Sequence, residues 1–176
     1  MFRNWTFGRK LAAGFAVTAI ALVVVAATGY RTTTVLIDND DLVSPTHEVR
    51  RQIAELLLQL VNAETGQRGY VIVGKDEYLQ PYEQALSKID AAYTALRGLT
   101  ADNPGEQQRL DRLKPLIDQR LGELKRVIEQ RRTSLDAAAA TIATGEGKQV
   151  MDAARVVLAE MDGEEARLLD TRARDA

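Results

Sequence analysis

Leu11 to Tyr30 reads LAAGFAVTAIALVVVAATGY, 20 consecutive residues without a charge. As a helix rising about 1.5 Å per residue, the run is about 30 Å long, the thickness of a bilayer's hydrocarbon core. It is also too uniformly apolar for a helix with one face in water. Arg9 and Lys10 stop it on one side and Arg31 on the other, while Trp5 and Tyr30 stand where interfacial aromatics belong. Residues 11–30 therefore read as a transmembrane helix. The alternative is a cleaved signal peptide, with Ala26, Ala27 and Gly29 as its small residues; the apolar core of such a peptide is usually about 7–15 residues.

Charge sets the orientation. Residues 1–10 carry Arg3, Arg9 and Lys10 and no acid, so they read as a cytoplasmic basic head, with the body on the periplasmic or extracellular side of the inner membrane. The chain has 23 Lys+Arg against 25 Asp+Glu, and three of those bases lie in the head. The body is thus mildly acidic; a basic head, an apolar run and an acidic body together read as a protein whose partner is the lipid bilayer and not nucleic acid.

The body must build its core from Leu, Ile, Val and Ala, because beyond Tyr30 its aromatics are Tyr70, Tyr78, Tyr82 and Tyr93. Apolar residues recur there at helical spacing, with Gly and Pro mostly between the periodic stretches. The first helix is expected over 46–73, starting at Ser44-Pro45 or continuing the apolar helix with little break, with Val49, Ile53, Leu56, Leu57, Leu60 and Val61 inward. Gly74-Lys75-Asp76 makes a turn with Asp76 as N-cap. The second helix then runs to about Leu99, with Leu79, Tyr82, Leu86, Ile89, Tyr93 and Leu96 inward. Asn103-Pro104-Gly105-Glu106 restarts the chain as a capping box. The third helix is expected over 104–143, kinked or restarted at Pro115 and including Leu135 and Ile142 in its stripe. Thr144–Gly147 is the last turn, and the fourth helix covers 148–172. The fold class is all-α: an N-terminal transmembrane helix, then an up-down-up-down four-helix bundle over 38–172. Such a bundle returns its end to the side where it began. No second apolar run follows, so a fragment of a longer receptor is expected in preference to a single-pass protein.

Catalytic chemistry has little to work with. The chain has one His and no Cys, which closes thiol, disulfide and most metal and triad chemistry. No catalytic, cofactor-binding or metal-ligating residue is assigned, and the chain itself is expected not to be an enzyme. His47-Glu48-Val49-Arg50 loosely resembles a histidine-kinase phospho-acceptor helix but lacks the usual Pro; His47 reads as a solvated residue near a helix start.

The informative stretch is Glu64-Thr65-Gly66-Gln67-Arg68-Gly69-Tyr70. Two glycines inside a helical pattern each cost about 1 kcal/mol against Ala. Either they permit close helix packing or a bend, or the segment is a polar cluster placed for a ligand or for flexing. Glu64 and Arg68, four apart, can pair on one face.

Together with Gly74-Lys75-Asp76-Glu77-Tyr78-Leu79-Gln80-Pro81-Tyr82, this stretch resembles the signature of the third class of CHASE domains, the cyclase- and histidine-kinase-associated sensory extracellular domains. The late segment Gly147–Arg155, with Met161, Glu164, Glu165, Leu168 and Leu169, fits too. The resemblance covers about 38–172. It implies a four-helix extracytoplasmic sensor, normally set between two membrane helices, ahead of a histidine kinase, diguanylate cyclase or chemotaxis-transducer output. The chain is expected to act as a homodimer on a small-molecule or protein stimulus. It assigns no ligand residue. The rival reading is a single-pass adaptor or structural protein whose bundle binds another membrane protein.

Overall fold

The computed structural model describes the backbone of residues 7–175 and the side chains of residues 19–26, 46–171 and 174. Its elements are α1 (Phe7–Val73), a 3₁₀ turn (Asp76–Leu79), α2 (Gln80–Leu99), α3 (Pro104–Thr133), α4 (Leu135–Ala143) and α5 (Glu146–Asp175). Among the described residues there is no strand. The chain divides into two compact units, Met1–Val43 and Ser44–Ala176. In the first, residues 19–26 are exposed. The segment 11–30 expected to span the membrane lies largely outside the described side chains, as does the head 1–10, and among the described residues no helix is long and apolar enough to cross a membrane.

The second unit is a four-helix bundle. Val49, Ile53, Leu56, Leu60 and Ala63 of α1 are buried at steps of three and four, as are Ala85, Ile89, Ala92 and Leu96 of α2. Leu110, Leu113, Ile117 and Leu124 of α3 join them, with Met151, Ala154, Val157, Leu158 and Met161 of α5, in one core. Each fully buried Leu contributes about 1.5–3 kcal/mol against exposure. Cross-links fix the directions. Glu64 and Val71 of α1 meet Arg120 and Arg131 of α3, so these two helices run parallel. Arg112 pairs with Glu160 at 2.5 Å and Gln119 with Glu146 at 3.4 Å, so α5 runs against α3.

Local signals explain most helix ends. Gly74 takes φ +77, the left-handed stop that Gly tolerates, and its N–H donates to Tyr70 O at 2.8 Å. Arg131 donates from Nε to Val71 O at 2.7 Å and lies against Gly74, supplying a cation to the negative end of α1. Asn103 caps α3, its side-chain oxygen accepting from Gly105 N and Glu106 N at 3.1 and 3.2 Å.

Several expectations need correction. Asp76 is not an N-cap: it opens the 3₁₀ turn, preceded by an extended Lys75. The capping box is half made, because the Glu106 carboxylate bonds Arg109 at 2.8 Å and the Asn103 N–H donates to Thr100 O. Pro115 neither starts nor ends α3. Leu86 is exposed while Ala85 is buried; α2 lies so close to α1 that the small residues Ala85 and Ala92 face inward.

The largest correction concerns the last hairpin. The helix expected over 104–143 breaks at Ser134, extended at φ −153 and ψ 125, whose Oγ accepts from Ala137 N at 3.2 Å. Ala138 then packs with Val127, although a continuous helix would hold residues that far apart by about 16 Å. The chain therefore turns back at Ser134, and Gly145, at φ +74, merely interrupts the returning arm. Leu135 and Ile142 consequently leave the stripe of α3 and are exposed at 47% and 36%.

Candidate functional site

The Glu64–Tyr70 segment lies in the last turns of α1, and its residues divide between two helix faces. Gly66 and Gly69 face the start of α2. A Cβ on Gly66 would lie 2.6 Å from Tyr82 N, a backbone atom, and one on Gly69 would lie 3.1 Å from the Tyr78 ring. These glycines therefore serve close packing, and Tyr70 extends the same contact, buried with Leu79 and Ile128. Thr65 is exposed and bonds back to Val61 O at 2.8 Å, a neutral helix-surface arrangement.

Glu64 and Gln67 face the other way, toward α3 and α5. Glu64 meets Arg120 at 3.3 Å and Arg68 at 3.5 Å. Arg120 also bonds Glu123. Arg120 and Glu123 side chains are only 6% and 8% exposed. A buried charge is costly unless it is paired, and Arg120 answers both carboxylates at once. Arg68 reaches outward, 65% exposed. Thus the structure brings Glu64 and Gln67 into a polar cluster, leaves Arg68 at its edge, and assigns Gly66, Gly69 and Tyr70 to packing.

The cluster lines a cavity of about 430 Å³ at the level of the Gly145 interruption. Its wall takes Glu64, Gln67 and Arg68 from α1, Arg120 and Glu123 from α3, Ile142 from α4, and Gly147, Lys148 and Arg155 from α5. Gly147 makes the room: a Cβ there would collide with the Glu123 and Arg120 side-chain ends. Two donors in this wall have no partner, Gln67 Nε2 and Arg120 Nε. Asp152 holds the outer cations, bonding Lys148 and, at 3.0 Å, Arg155.

Arg120, Glu123 and the Gly147–Arg155 rim were not assigned from the sequence. The readable signal was Arg120, which stands between Ile117 and Leu124 on the apolar stripe of α3. A charge on a buried stripe needs a buried partner. Among the described residues no group of acids and histidines could hold a metal ion, and His47 is exposed.

A second buried acid lies elsewhere in the bundle. Glu106 of α3 is fully buried, with one carboxylate oxygen unpartnered. Burial pushes its pKa from 4.5 up to about 7; Arg109 opposes the shift, and the charges of Glu165 and Glu164 add to it.

Comparison with curated proteins finds no match. Among solved structures, the chain is similar to the sensor domain of histidine kinase HK9 from Rhodopseudomonas palustris. The two are 25% identical with a TM-score of 0.67, over 71% of this chain and 98% of that one. The model of the CHASE3 domain matches residues 39–175, the span that holds the bundle, the glycine-flanked segment and the cavity. The chain therefore belongs to the CHASE3 domain family.

Proposed function

We propose that this chain is the extracytoplasmic sensory input part of a bacterial transmembrane receptor. The observation that carries the reading is the shared fold with a histidine kinase sensor domain, which this chain covers over 98% of its length. The CHASE3 match over residues 39–175 agrees with it. In this reading residues 11–30 are the membrane anchor, the head 1–10 is cytoplasmic and the body is periplasmic. The chain works as a homodimer and performs no chemistry of its own. The output is a histidine kinase, a diguanylate cyclase or a chemotaxis transducer.

The mechanism in this proposal is displacement of α1 against α5, passed to the membrane helices and biasing a two-state output. The bundle suits such movement, because α1 and α5 are joined at half-exposed positions by the Arg50–Asp162 pair at 2.7 Å, which is weak enough to remake. Spin labels at Ala54 and Ala159, both exposed, test it in the full receptor. A distance between them that changes with every activating condition is the expected result. A distance that never changes while the output switches would sink the mechanism.

A further inference from the structure

One end of the bundle closes with a polar layer. The apolar core ends there at Val49 of α1, Leu96 of α2, Leu110 of α3 and Met161 of α5. Beyond them the buried side chains among the described residues are Thr46, Thr100, Glu106 and Glu165. Thr100 is satisfied, its Oγ donating to Leu96 O at 2.7 Å and accepting from Gln107 Nε2 at 2.8 Å. Glu106 is not. It has no exposed surface, its Oε1 accepts from Arg109 at 2.8 Å, and its Oε2 is unpartnered.

The register of α3 against α5 sets what faces it. From the Arg112–Glu160 bridge, six residues toward the start of α3 and five toward the end of α5 bring Glu106 level with Glu165. The negative charges of Glu165 and Glu164 both bear on Glu106, and Glu164 is held by Arg167 at 2.5 Å. From α1, Arg50 pairs with Asp162 and also senses Glu165, while His47 is exposed. From α2, Arg97 is turned to Tyr93, Gln107 and Asp111. An ionised Glu106 would therefore be a buried charge beside two acids, answered by one bond from Arg109. The end of α5 is the part able to yield. Among its described residues after Met161, Glu165 is the buried one, and Leu168 and Leu169 are half-buried, so few apolar contacts hold these turns.

We propose that Glu106 is a proton-binding site that latches the end of α5 to the bundle. With the proton held, the α3–α5 seam is closed. With the proton released to solvent, Glu106 and Glu165 repel, and the turns of α5 beyond Met161 lift away. The folded carboxyl titrates at about 7, above its usual 4.5, so the latch is complete below pH 4.5 and weakens as pH rises through 7. Glu165 stands one turn from Asp162, so opening also disturbs the Arg50–Asp162 pair that joins α1 to α5.

That the latch reports external pH rests on the proposed sensory function; the latch itself does not. The test is hydrogen exchange of the full 176-residue chain in detergent micelles between pH 5 and 8, corrected for the intrinsic exchange rate. Amides 165–169 should exchange through an opening of their own, more frequent at each pH than that of amides 56–63 in the core. From pH 5 to pH 8 this opening should rise roughly 10- to 100-fold. Glu106→Gln keeps the shape and has no proton to lose, and should remove most of the rise. In the parent, the ¹³C shift of the Glu106 carboxyl should titrate near 7. A midpoint at the ordinary value of about 4.3, an opening that does not rise with pH, or a rise that persists in Glu106→Gln would each overturn the site. Amides 165–169 exchanging no faster than 56–63 would overturn the latch. A working latch in a receptor whose output ignores pH would sink the pH-sensing role alone. An output that follows pH equally well in Glu106→Gln would leave the receptor a sensor and take the latch out of its signal.

Discussion

The bundle buries carboxylates at two levels and treats them in opposite ways. At the level of the Gly145 interruption, Glu64 and Glu123 share the guanidinium of Arg120, so buried Glu123 and Arg120 and part-buried Glu64 form one set. Toward the other end, Glu106 meets Arg109 through one oxygen only, with Glu165 and Glu164 close enough to raise its proton affinity. The first arrangement neutralises burial with a counter-charge, the second with a proton. A guanidinium stays charged at any physiological pH, whereas a carboxyl poised near 7 follows its surroundings.

The largest effect should come from breaking the first arrangement. Arg120→Met leaves Glu64 and Glu123 without their buried partner, and denaturant unfolding at pH 7 should show a loss of about 3–5 kcal/mol. A loss under about 1 kcal/mol would mean that the two carboxylates are solvated and the contrast is false. Next comes the proton. The folded pKa of Glu106, about 7, lies above its usual 4.5. The folded state thus holds the proton more tightly, and the stability this supplies is complete below pH 4.5 and lost as pH rises through 7. Glu106→Gln should therefore match the parent near pH 4 and exceed it by on the order of 1–3 kcal/mol at pH 8. Equal stability of the two proteins at pH 8 would remove the proton from the account. The smallest effect belongs between the two levels, at the exposed Arg112–Glu160 bridge. Arg112→Ala should change unfolding by less than about 1 kcal/mol, and a larger change would show that ion pairs along the whole α3–α5 seam contribute, not only the buried ones.

The sequence makes the bundle legible because its stripes are regular. Val49 to Ala63 and Leu110 to Leu124 alternate steps of three and four, and Gly74 and Asn103 mark their turns without ambiguity. What misled at Ser134 is that Leu135 and Ile142 continue the period of α3 across the break. A serine inside a periodic stretch is a weak signal, and its extended backbone is settled by Ala138 packing on Val127 and Val71, a contact no local pattern announces. The site was half legible for a related reason. Glu64 and Gln67 stand in a conspicuous motif, but their partners Arg120 and Glu123 come from a helix more than 50 residues away. Only the charge on the apolar stripe hinted at them.

The bond from Arg131 to Val71 O also has a mechanical meaning. It clamps α1 near its C-terminal end, and Thr46, where the bundle part of the helix begins, is about 38 Å away along the axis. With one end clamped, a tilt of about 3° at Val71 swings the Thr46 end by about 2 Å, by simple lever geometry on a helix of that length. The cavity wall, beginning a turn and a half from the clamp at Glu64 and Gln67, moves little in such a swing. Small repositioning near the pinned end is thereby magnified at the level of Thr46, and the gearing is set by the length of helix between them.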